Sequence, residues 1–95
     1  MGYKIRFQRR ALNDLERLVR FIALGDSAPA TRFGYALVQA VENLANAPAR
    51  GRAYDLARGI RSIPFPPFRA YYRVKGEALE VLKLWHGARR RKPRL

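Results

Sequence analysis

Phe68 to Arg89 reads FRAYYRVKGEALEVLKLWHGAR, two runs of strand-forming residues around a Lys75-Gly76-Glu77 turn, and its pattern decides the fold. In the first run, alternation puts Phe68, Ala70, Tyr72 and Val74 on one face and Arg69, Tyr71, Arg73 and Lys75 on the other. One face is core and the other basic. The second run carries Leu79, Val81, Leu82 and Leu84, too apolar on both sides for an exposed edge, and this places it inside a sheet. Gly76 supplies the permissive backbone that the turn needs. The second strand ends by delivering His86, the chain's one histidine, among basic residues, where it is expected close to Arg69 and Arg73.

Upstream, Tyr3, Ile5 and Phe7 alternate with Lys4 and Arg6 as a short first strand. Ala11, Leu12, Leu15, Leu18, Val19 and Ile22 then recur at helical spacing until Gly25. Asp26 or Ser27 can cap a second helix, Pro29 suits its first turn, and Phe33, Leu37, Ala40, Val41 and Leu44 form its buried stripe before Pro48. Residues 49–58 read as a loop leading into a strand near Ile60 to Ile63. Pro64, Pro66 and Pro67 then force a turn before Phe68. The order β-α-α-β-β-β predicts an α+β fold, an antiparallel sheet with a helical hairpin on one face. The opposite face, bearing Arg69 and Arg73, is left open. Tyr72, Phe68, Phe33 and Phe21 are expected in the core.

At 95 residues there is room for one modest core. A single domain over 1–88 and a basic tail over 89–95 are expected. The formal charge is +13, and subtracting the five basic residues Arg89, Arg90, Arg91, Lys92 and Arg94 leaves +8 on the body. Such a body attracts polyanions: nucleic acid, an acidic protein segment or an anionic surface. No apolar run approaches the roughly 20 residues that span a bilayer, so no membrane partner is expected. No signal-peptide pattern opens the chain, and the expected location is the cytoplasm. Cysteine is absent and carboxylates are few and scattered, so no metal site and no cofactor are expected.

Four stretches in this order resemble the ParE/RelE superfamily of type II toxin-antitoxin toxins. ALNDLERLVRFI, from Ala11, is similar to that family's first helix, and TRFGYALVQAVENLANAPARGR, from Thr31, to its second helix and following loop. GIRSIPFPPFRAYYRV, from Gly59, resembles its central hairpin and LEVLKLWHGARRR, from Leu79, its last strand, with the ParE branch closer than the RelE branch. The resemblance implies a toxin held inactive in a hetero-oligomer by a cognate antitoxin, whose acidic or apolar C-terminal segment wraps it. ParE-type members inhibit DNA gyrase and trap its cleaved complex with DNA. RelE-type members cut messenger RNA in the ribosomal A site, one sub-branch using a Glu, an Arg, a His and a C-terminal Tyr. By position, Arg69 matches that arginine and His86 that histidine, whereas the glutamate falls at about Tyr54 and the tyrosine at Gly87. Half of that acid-base set is absent, with Asp55 beside the glutamate position.

A metal-independent nuclease needs cations for the charge developing on phosphorus and two groups to move protons. Arg61, Arg69, Arg73 and Arg89 are available for the first task, and His86, Tyr71 and Asp55 for the others. Arg69, Tyr71 and Arg73 also suit phosphate contact and base stacking, although a solvated outer sheet face has the same composition. Arg89, Arg90 and Arg91 extend a target-binding or nucleic-acid-binding surface or form a solvated tail, and the resemblance implicates this region in toxicity. Trp85 is either core or an antitoxin anchor. Three functions stay open: a ParE-like gyrase inhibitor, a RelE-like ribosome-dependent endoribonuclease with His86 and Arg69 as catalytic residues, and a non-toxic basic binding module.

Overall fold

The computed structural model describes residues 2–23, 27–66, 68–86, 93 and 95, without the side chains of 21–23 and 27. Gly25, the Asp26 or Ser27 cap, the Phe21 and Ile22 side chains, Pro67, and the tail residues Arg89, Arg90 and Arg91 therefore lie outside what is described.

The chain runs β1 (Lys4–Phe7), α1 (Arg9–Ala23), α2 (Ser27–Asn46), a 3-10 turn (Pro48–Arg50), β2 (Arg52–Asp55), a second 3-10 turn (Leu56–Arg58), β3 (Ile60–Phe65), β4 (Phe68–Lys75) and β5 (Ala78–His86). The five strands form one sheet in the order β1-β5-β4-β3-β2. The α+β class and the helical hairpin on one face are as expected, and β5 is interior as its apolar run requires. The sheet itself differs in two ways. β1 pairs with β5 in parallel, Ile5 opposite Leu79, so the sheet is mixed and antiparallel only from β2 to β5. The segment read as loop also contains a strand, β2, whose Arg52 pairs with Ser62 and Ala53 with Arg61.

The prolines end β3 later than expected. Pro64 lies within the strand opposite Arg69, and Phe65 opposite Phe68. Pairing with β2 reaches only to Ser62, so the outer edge of β3 is open at Pro64 and a residue without an N–H is tolerated there.

The principal core lies between the helices and the sheet. Ala11 of α1 and Leu37, Val41, Leu44 and Ala45 of α2 meet Ala70, Tyr72, Leu79, Val81 and Leu84, with Phe33 and Leu15 packed at the margin. Burying one such leucine contributes about 1.5–3 kcal/mol, and the repeat of α2 residues on one face explains why the helix packs as it does. The opposite sheet face is not simply open. Ile60, Tyr71 and Leu82 are buried there, flanked by Tyr54, Trp85 and Leu95.

One irregularity sets the geometry of everything after Leu82. Tyr72 pairs with Val81 but Tyr71 pairs with Lys83, so β5 carries one extra residue. Before the bulge, Leu79 and Val81 face the helices; after it, Leu84 does. Asp14 of α1 secures the bulge by accepting from Lys83 Nζ at 2.9 Å and from the Leu84 backbone N–H at 3.2 Å.

Candidate functional site

On the sheet face away from the helices, β2, β3 and β4 place Arg52, Tyr54, Ser62, Arg69 and Tyr71 around a concavity of about 260 Å³. Arg69 and Ser62 come together because Arg69 pairs with Pro64 and Tyr71 with Ser62, which puts all of these side chains on one face. Arg69 donates from Nη1 to the buried Ser62 Oγ at 2.8 Å. That bond fixes the guanidinium over the concavity and leaves its remaining N–H groups for an anion. Tyr71 lies edge-on to Tyr54 with ring centroids 4.8 Å apart. It is only 6 % exposed, and burial is the main cause that raises its hydroxyl above the ordinary tyrosine value, Tyr54 adding to this and Arg69 opposing it. Tyr71 therefore lines the floor of the concavity, and the expectation of an exposed stacking platform does not fit its burial.

The other sequence candidates are dispersed. Arg73 is on the same face but donates from Nε to Glu80 Oε1 at 3.0 Å, and Arg6 approaches the other carboxylate oxygen at 3.8 Å. Glu80 is buried, and the Arg73 hydrogen bond is the main cause that holds its carboxyl below the ordinary glutamate value. The charge of Arg73 is thus largely answered within the sheet. Arg61, grouped with Arg69 as a candidate cation, pairs with Tyr72 and points to the helix side, donating to the Gly51 carbonyl at 3.0 Å. Asp55 accepts from the Arg58 backbone N–H at 3.3 Å and caps the second 3-10 turn, which Gly59 closes at φ 70°.

His86 departs furthest from expectation. It pairs with Phe68, its ring edge-on to the Phe68 ring at 5.1 Å, whereas Arg69 pairs with Trp85. Directly opposed residues share a face and neighbours alternate, so His86 and Arg69 project from opposite sides of the sheet. Strict alternation along β5 places His86 with Arg69; the bulge at Leu82 reverses it. Trp85 takes the basic face instead, packed against the Ile60, Tyr71 and Leu82 cluster with Lys83 Nζ 5.9 Å from its ring centre.

Arg52, Tyr54 and Ser62 were not singled out as site residues by the sequence. Their signal is weak: one short polar strand and one serine between apolar residues.

The family model for the ParE toxin of the type II toxin-antitoxin system parDE matches residues 5–91. The chain belongs to that toxin family. Consistent with this, the toxin is 32 % identical over 93 residues to Toxin RelE1 of Caulobacter vibrioides, covering 96 % of this chain and 100 % of that one. Its fold is that of a chain in the chromosomal ParDE system of P. aeruginosa, with a TM-score of 0.71 at 22 % identity over 90 % of this chain and 96 % of the other. It is also that of a chain in the RelBE2 toxin-antitoxin complex of Mycobacterium tuberculosis, with a TM-score of 0.59 at 23 % identity over 90 % and 99 %. The YoeB/ParE toxin of Agrobacterium tumefaciens aligns with a TM-score of 0.64 at 20 % identity over 87 % and 96 %. The toxin is therefore a type II toxin-antitoxin toxin of the ParE/RelE superfamily.

Proposed function

We propose that this toxin acts in the cytoplasm as a ParE-like inhibitor of DNA gyrase, without chemistry of its own, and is neutralised by a cognate antitoxin. The observation that carries the reading is the separation of Arg69 and His86 onto opposite sheet faces. A nuclease of the RelE type needs its cation and its proton-transfer groups around one phosphodiester. Here no carboxylate lines the concavity among the described residues, and the nearest sequence candidate, Asp55, is engaged as a cap. The match to the ParE family model supports the same branch. Two solved relatives are described as toxin-antitoxin assemblies, which supports an antitoxin partner and a hetero-oligomer.

The test is a supercoiling and cleavage assay with purified gyrase. Loss of supercoiling with accumulation of cleaved DNA is the expected result, and no change at large excess of toxin removes the reading. The second reading, ribosome-dependent messenger cleavage, is favoured by the Arg52 and Arg69 pair at a concave basic site. Mapping transcript ends after induction distinguishes it, because only a nuclease generates new ends within codons.

A further inference from the structure

α2 carries two stripes. Leu37, Val41 and Leu44 turn to the core. On the other side Ala28, Thr31, Tyr35, Val38 and Glu42 follow one another at alternating steps of three and four, the spacing of a helix–helix seam, and all five are exposed. Tyr35 is 75 % and Val38 52 % exposed, and no other large apolar side chain among the described residues is as open as Tyr35. An aromatic and a β-branched residue one turn apart form a contiguous patch rather than scattered exposure, the pattern that marks an interaction surface. We propose that this face pairs with the same face of a second copy of the toxin, the two α2 helices running antiparallel about a twofold axis that sets Tyr35 of each against the partner's Val38.

Self-complementarity selects this occupant. An isologous contact needs a patch that matches itself after half a turn. The midpoint between Tyr35 and Val38 lies within half a residue of the midpoint between Arg32 and Glu42. The rotation that seats the apolar pair therefore brings each Arg32 to within about 1.5 Å, along the axis, of the height of the partner's Glu42. Packed helix axes lie about 8–10 Å apart, a gap that an arginine side chain crosses. Parallel pairing would instead set Arg32 against the partner's Arg32. The four ion pairs between described residues use neither Arg32 nor Glu42, so both charges are available to a partner.

Charge also favours a second copy over an acidic segment of another protein. Arg32 is the one cation and Glu42 the one carboxylate in α2, whose formal charge is thus zero in a chain of +13. An acidic segment finds little to hold it here, whereas two strongly cationic chains can approach through a neutral face with the least repulsion. The seam from Ala28 to Glu42 is about 21 Å long. One helix pair of that length covers less than the roughly 800 Å² per partner of a standard interface, so the dimer is reversible and forms in the roughly micromolar range.

Sedimentation equilibrium of the purified full-length toxin near physiological ionic strength tests this. A rise from the mass of one chain to that of two with increasing concentration is expected, and the mass of one chain throughout the micromolar range overturns the proposal. Tyr35→Glu sets a carboxylate in the seam and is expected to raise the dissociation constant about tenfold or more, as loss of a central interface tyrosine does. Its far-ultraviolet circular dichroism should match that of the unaltered toxin, because the position is exposed. Arg32→Glu faces the partner's Glu42 and is expected to weaken the dimer about fivefold, even though it lowers the formal charge of each chain from +13 by 2 to +11 and so relieves general repulsion. Glu42→Arg should weaken it as well, and the two substitutions together should restore it. Tighter association of Arg32→Glu, or no recovery in the double variant, overturns the antiparallel register, since net charge rather than pairing would then govern association. A toxin that stays monomeric while Tyr35→Glu weakens its capture by the cognate antitoxin overturns the proposal too, because the face would then belong to the antitoxin.

Discussion

Arg69 and His86 sit one ladder step apart at the end of β4 and β5 yet leave the sheet on opposite faces, because β5 gains a residue at Leu82. Groups that act together on one phosphodiester are strongly non-additive when removed. Side chains that leave a sheet on opposite faces do not grip one phosphodiester together, so their effects are expected to combine rather than to overlap. Arg69→Ala and His86→Ala are therefore expected to give multiplicative effects on growth inhibition and on gyrase cleavage titrations. A double variant no worse than the weaker single variant would mean that the two side chains work as a unit.

Glu80 joins three strands, reaching Arg73 on β4 and Arg6 on β1 from β5. Glu80→Gln keeps the shape and removes the charge, and hydrogen bonds to charged groups contribute roughly 1.5–3 kcal/mol each. Arg6 is mostly exposed, so the expected loss is about that of the Arg73 bond alone. The pH dependence has a defined sign. Folding lowers the Glu80 carboxyl below its ordinary value, so its contribution is complete above the unfolded value of about 4.3 and disappears as pH falls through the lower folded value. Urea unfolding near neutrality should separate the two proteins, and the gap should close below that range. A constant gap down to the lowest pH would show that the charge is not what matters.

Tyr72 is almost fully buried and satisfies Pro48 and Gly51 at once. Tyr72→Phe strands a part-buried carbonyl and a buried N–H, for a loss of about 1–3 kcal/mol. Gly51→Ala is expected to cost at least as much, since the new methyl displaces the same ring. Thermal unfolding of the two single variants and the double checks the coupling. Once the hydroxyl is gone the methyl meets less resistance, so the double variant should be less destabilised than the sum.

Both helices, the interior position of β5 and the Gly76 turn were legible because each is written locally, in 3.6-residue stripes, a doubly apolar run and one glycine at φ 60°. The parallel pairing of β1 had no local signal, since Lys4–Phe7 reads the same beside any partner. β2 was hidden because its four residues are polar-rich and its register slips between Ala53 and Asp55. For the site, Arg69 and Tyr71 were placed on the right face by counting twos from Phe68. Counting twos along β5 failed at Leu82, where a bulge costs the sequence only one residue but reverses the faces of Leu84, Trp85 and His86. Arg61 joined the candidate cations by residue type alone, whereas its position follows the parity of Ile63 and Phe65, which pack on the core.

The bulge itself depends on Asp14, which reaches from α1 to the Lys83 ammonium and the Leu84 N–H. Arg17 also donates to Asp14 at 2.9 Å, but from an exposed helix surface where such a pair adds little. The Lys83 and Asp14 side chains are 15 % and 10 % exposed, so removing one partner leaves a poorly solvated charge behind. Asp14→Ala is expected to cost about 3–5 kcal/mol, a large share of a typical domain stability of about 5–15 kcal/mol. Adding Lys83→Met removes the orphaned ammonium, and the double variant should recover part of the loss, leaving chiefly the unpaired Leu84 N–H at about 1–3 kcal/mol. Hydrogen exchange at Leu84 provides a local readout: its amide should lose protection in both variants, while that of Leu79 on the other side of the bulge changes only as far as global stability does. An unchanged Leu84 amide would mean that the bulge is held by the ladder rather than by the helix.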